Sequence, residues 1–100
     1  MKLGILINTD RHLKHLIKIS RAASNNGHNV SLFAMDAGTK LLQSDEFPQL
    51  CKLENLMMSV CNHSATEHEV ETAGVSKEIV IGSQFNNAMM NNQSDKVIVL

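Results

Sequence analysis

The stretch Met57-Met58-Ser59-Val60-Cys61-Asn62-His63-Ser64 carries the side chains best equipped for chemistry. An apolar run ends in a cysteine, and a helix-start signal follows within three residues. A thiol reacts as its thiolate, and free backbone N–H groups at a helix start or a nearby cation lower its pKa. His63 can supply such a charge when protonated, whereas Glu67 and Glu69 oppose it. Cysteine is also among the most buried residue types and often acts as a small apolar side chain. On the residues alone, Cys61 is either a reactive thiol or the last core residue of a strand.

The other chemically capable residues are less suggestive. Cys51 lies in Gln49-Leu50-Cys51-Lys52-Leu53, an apolar setting that reads as packing or, alternatively, as a resolving thiol. Cys61, His63 and His68 are three potential ligands for a soft or borderline metal, yet their spacing fits no standard zinc motif, and no metal is expected. His12 and His15, flanked by Arg11 and Lys14, read as a solvated basic face. Gly82-Ser83 and Asp36-Ala37-Gly38 can each present backbone N–H groups to a small anion. Neither is a P-loop or a GxGxxG fingerprint, so neither a nucleotide nor another cofactor is expected.

Alternating strands and helices must position these residues. The run from Lys2 to Ile7 is short, β-rich and apolar on both faces, which suits a buried parallel strand. Thr9 or Asp10 is expected to cap a helix of four to five turns with Leu13, Leu16, Ile17, Ser20 and Ala23 inward, ended by Gly27. A second strand follows over His28 to Ala34, with Val30, Leu32 and Ala34 alternating against Ser31 and Phe33. Met35 to Gly38 is expected as a loop, Thr39 to Gln43 as a short helix, and Pro48 as the start of a helical turn through Cys51. The third strand is Asn55 to Val60. Ser64-Ala65-Thr66-Glu67 has the spacing of a capping box and predicts a helix to about Ala73, stopped at Gly74. Glu78 to Ile81 and Lys96 to Leu100 are the fourth and fifth strands. Between them a helix capped at Gly82-Ser83 carries Phe85, Ala88 and Met89 on one face.

This order predicts an α/β fold: a three-layer α/β/α sandwich with a mainly parallel five-stranded sheet and right-handed crossovers, as a single domain over residues 1–100. Ligands of such sheets bind beyond the carboxyl ends of the strands. Cys61 falls at that edge, as do the anion-binding candidates Asn8, Thr9, Asp36, Gly38, Asn62, His63, Ser64, Gly82 and Ser83.

Composition narrows the function. Nine basic against ten acidic residues leave a formal net charge of -1, so no strong field draws nucleic acid or an anionic membrane. Three Phe, no Tyr and no Trp leave no stacking platform for single-stranded nucleic acid. No window approaches the length of a membrane span and no signal peptide is evident, so a cytoplasmic location is expected. Two cysteines ten apart do not form a disulfide framework in a reducing compartment.

Four features in order along the chain resemble the DsrE/DsrF-like family, which includes TusD-type sulfur-relay subunits. They are the opening strand Lys2 to Ile7; Ser31 to Gly38, a strand with an Asp-Gly-type turn; Ser59 to Ala65 followed by Gly74-Val75; and Gly82-Ser83 followed by Asp95 to Val99. The resemblance implies a three-layer α/β/α fold and assembly of like subunits as trimers or hexamers. It also implies that Cys61 stands where relay members carry a persulfide, taken from a sulfur donor protein and passed to an acceptor's cysteine. The alternative is a non-catalytic assembly or regulatory module in which Cys61 is buried and inert and Met89 or Met90 sits at subunit contacts.

Overall fold

The five apolar runs become five parallel strands in the computed structural model, which describes residues Met1–Leu100. The strands are β1 (Lys2–Ile7), β2 (Asn29–Ala34), β3 (Leu56–Cys61), β4 (Ile79–Gly82) and β5 (Lys96–Val99), in the order β4-β3-β2-β1-β5. The helices are α1 (Leu13–Asn25), α2 (Glu46–Gln49), α3 (Asn62–Glu67) and α4 (Gln84–Gln93), with 3-10 segments over Asp36–Gln43 and Leu50–Lys52.

Two packed clusters mark the two faces of the sheet. Ile5, Ile7, Val30, Leu32, Leu56, Met58, Val60 and Ile79 point to the larger one, where α1 contributes Leu16, α2 contributes Phe47 and α3 contributes Ala65. Phe33 and Cys61 point the other way, against Met90 of α4, with Leu6, Met35 and Val97 around them. The fold is thus an α/β sandwich, and its sheet is wholly parallel.

Several local expectations are corrected. Thr9 and Asp10 do not cap α1: the Thr9 hydroxyl donates to the Leu100 carbonyl at 2.7 Å, and α1 starts only at Leu13 with no side-chain cap. The helix is consequently 13 residues long, short of the expected four to five turns, although it contains the whole apolar stripe. Its end is as expected, with Gly27 at φ 79° and the His28 N–H returning to the Ala23 carbonyl at 3.0 Å. The expected loop and short helix after β2 are one continuous 3-10 segment beginning at Asp36.

Ser64 is not a cap either. α3 begins immediately after β3, with Cys61 at the N-cap position and Ser64 inside the helix. It stops at Glu67 rather than near Ala73. Glu69 takes a left-handed φ of 57°, and the Val70 N–H reaches back to the Ala65 carbonyl at 2.8 Å. This is a Schellman closure without glycine, held by burial of Val70. In α4, Phe85, Ala88 and Met89 do not form the inward face: all three are exposed, and Met90 is the residue that packs beneath.

α4 has the strongest start signal. The Ser83 hydroxyl accepts from the Phe85 N–H at 3.2 Å, and the Ser83 N–H donates to Asn86 Oδ1 at 3.0 Å, a capping box with Asn in place of Glu. Gly82 makes room for that side chain, since a Cβ there would collide with the Asn86 amide. Gly38 is equally constrained: a Cβ would run into the Ile7 carbonyl, a backbone atom that cannot swing aside.

Two substitutions test this construction. Gly38→Ala is expected to destabilise the protein by about 1–3 kcal/mol through overpacking against β1. Ser83→Ala should cost about 1 kcal/mol through loss of the α4 cap. Denaturant unfolding of both variants measures the two losses, and a Gly38→Ala midpoint equal to wild type contradicts the close approach.

Candidate functional site

The topology opens a crevice at one place on the carboxyl edge. From β1 through β4 each strand is added on the same side of its predecessor, and right-handed crossovers put these connections on one face. The return from β4 to β5 crosses to the opposite edge, so α4 must lie on the other face. The chain therefore leaves β3 towards one face and β4 towards the other. Divergence of this kind between neighbouring strands is where parallel sheets bind ligands. Cys61 and Gly82, the last residues of β3 and β4, are register partners there.

An open pocket of about 690 Å³ fills the divergence, lined by Met35, Cys61, Asn62, His63, Ser64, Gly82, Ser83 and Gln84. Cys61 is 3 % exposed, with Phe33 and Met90 packed against it. Its thiol is therefore at the floor of the pocket, not on an open surface. Burial on its own raises a thiol pKa. Here the Ser64 hydroxyl and backbone N–H, the Gln84 side-chain amide and the His63 backbone N–H outweigh burial, and the thiol titrates below its ordinary value. All of these donors are neutral, and no Lys or Arg lines the pocket.

Of the nine residues expected to shape an anion site, five line this pocket with Cys61: Asn62, His63, Ser64, Gly82 and Ser83. Four do not. Asn8 follows β1, two strands from β3, and Thr9 is engaged by Leu100. Gly38 is buried against Ile7. Asp36, at a left-handed φ of 50°, accepts from His68 Nε2 at 2.8 Å.

The His63 side chain is directed elsewhere. Its ring lies 3.0 Å from Glu67 Oε1, one helical turn on, with both side chains largely exposed. Cys61, His63 and His68 do not converge: the two rings are held by different carboxylates, and no three His, Cys, Asp or Glu side chains gather as a metal-ligand set. Cys51 is a free thiol in the larger cluster, on the opposite face of the sheet from Cys61, so it is packing and not a resolving partner within the chain.

Met35 and Gln84 escaped the sequence reading. Met35 is the first residue after β2 and falls in the expected loop; Gln84 opens an Asn-rich helix in which no polar residue stands out. The available signal was position, since Gln84 follows the cap of the one helix that starts at the diverging strand.

No family model and no curated protein matches the chain. Among solved structures it is similar to the crystal structure of the ychN protein from E. coli, with a TM-score of 0.78 and 14 % sequence identity over 100 % of both chains. At that identity the likeness shows the fold alone, an α/β sandwich on a parallel five-stranded sheet.

Proposed function

We propose that this protein is a sulfur carrier that holds sulfane sulfur as a persulfide on Cys61. The observation that carries the reading is the placement of a thiol at the crevice between β3 and β4, among donors that together favour its anion. The Cys61 thiolate attacks the outer sulfur of a donor persulfide. A new S–S bond forms at Cys61, the donor's S–S bond breaks, and the donor leaves as a thiolate. An acceptor thiolate then attacks the outer sulfur on Cys61, which departs as thiolate. The exchange needs no external oxidant or reductant, because the sulfane sulfur only changes carrier.

Neutral donors suit a single negative charge shared among several hydrogen bonds. A persulfide monoanion matches that supply better than a dianion such as thiosulfate, for which a fixed cation would be needed. We place the carrier in the cytoplasm, where free thiols stay reduced. No helix is long and apolar enough to cross a membrane.

The reading also includes assembly with like subunits as a trimer or hexamer. Met57, Val80, Phe85 and Met89 are exposed large apolar side chains on and beside α4, with Met57 at 71 % and Phe85 at 69 %. Met90 has no part in this surface, being buried beside Cys61. A second reading, an assembly module with an inert cysteine, has the low exposure of Cys61 in its favour.

Mass spectrometry after incubation with a low-molecular-weight persulfide decides between the two. The carrier reading predicts a gain of one sulfur, about 32 Da, on wild type and none on Cys61→Ser. An unmodified wild-type Cys61 leaves only the assembly module. Sedimentation checks the assembly separately: wild type is expected as a trimer or hexamer, and Met57→Glu combined with Phe85→Glu as a monomer. A monomeric wild type at micromolar concentration overturns the oligomer.

A further inference from the structure

Three amide side chains run along one face of α4 and end at the thiol pocket. Asn91 Nδ2 donates to Asn87 Oδ1 at 2.8 Å and to the Asn87 carbonyl at 2.9 Å. Asn87 Nδ2 donates to Gln84 Oε1 at 3.1 Å. Gln84 Nε2 then donates to the sulfur of Met35 at 3.7 Å. Each amide is oriented by the one behind it. With its oxygen occupied by Asn87, Gln84 has only its NH2 end left to turn into the pocket, where Met35 and Cys61 are the two sulfur-bearing residues.

We propose that Asn87 and Asn91 are positioning residues that keep the Gln84 NH2 group aimed at the Cys61 sulfur, so that Gln84 joins the Ser64 hydroxyl as a side-chain donor holding negative charge there. The inference rests on the sulfur-carrier reading and adds to it the ladder that orients one of the groups recognising the anion. A thioether is a weak acceptor, whereas a thiolate or terminal persulfide is a strong one. Met35 therefore serves as the resting partner of the amide when Cys61 is neutral. The Gln84 NH2 carries two hydrogens, so it can turn to the anionic sulfur without giving up its oxygen's bond to Asn87.

The ladder also accounts for how an exposed side chain can be effective. Gln84 is solvent-exposed, and a free glutamine loses much rotamer freedom when it is fixed in one geometry. Successive amides one helical turn apart reduce the freedom left to lose, because Asn87 and Asn91 hold the preceding links. The asparagine-rich stretch of α4, otherwise poor helix-forming sequence, acquires a specific use.

The test is an ultraviolet thiolate titration of the intact protein, with Cys61→Ser as the blank that removes the Cys51 signal. Gln84→Leu is expected to move the Cys61 midpoint upward, leaving about threefold to tenfold less thiolate at any pH below the midpoint. Gln84→Glu should move it further, since a carboxylate near the sulfur repels the thiolate. That variant keeps the size of the side chain and suits the first turn of α4, so it remains folded. Asn87→Leu should give a smaller shift in the same direction by freeing the Gln84 amide. A lowered wild-type midpoint that Gln84→Leu and Gln84→Glu leave unchanged overturns this inference while the carrier reading stands. A wild-type midpoint at the ordinary thiol value overturns both.

Discussion

The handedness of the strand crossovers is the constraint from which the rest follows. Four strands laid down in one direction put their connections on one face of the sheet, and the fifth, placed at the far edge, forces its helix onto the other. The chain must part between β3 and β4. The crevice at Cys61 is therefore a consequence of strand order and exists before any side chain is chosen. The side chains decide only what it can hold.

What they supply is a balance between burial and hydrogen bonding. Cys61 completes a small apolar cluster with Phe33 and Met90, which by itself favours the neutral thiol. Backbone N–H groups at the start of α3, the Ser64 hydroxyl and the Gln84 amide reverse that preference with no Lys or Arg in the pocket. Gly82 allows Asn86 to fold back and complete the cap of α4, which fixes the helix from which Gln84 projects. The same residue thus shapes the strand end opposite Cys61 and the helix that faces it.

Much of this was legible in the residues, and the failures have physical causes. Apolar runs marked all five strands, with ends displaced by one residue in β2, β3, β4 and β5. Gly27 was readable because only its left-handed backbone ends α1 there. Strand order was not readable, since it depends on pairings between segments far apart in sequence. The Ser64-to-Glu67 spacing misled because α3 starts directly from the strand, so Ser64 already lies within the helix. Gly74 misled because burial of Val70 closes that helix earlier, at the cost of a left-handed Glu69. In α4 the spacing of Phe85, Ala88 and Met89 was that of an apolar face, yet Met90 is the residue that settles beside Cys61, close above Gly4. Gln84 was invisible because an amide carries no hydrophobic pattern; its spacing to Asn87 and Asn91 is meaningful only once the helix is known to end at the thiol.

The most direct test of the central claim is the pH dependence of Cys61 alkylation by a small haloacetamide, measured in the native protein and in the same chain unfolded by denaturant. A thiol whose anion is held by the crevice titrates lower when folded. Thiolate-dependent modification should then level off at a lower pH in the native protein, with Cys61 still accessible to the reagent. A native profile that levels off at or above the pH of the unfolded chain, or a native Cys61 that resists the reagent at every pH, contradicts the account.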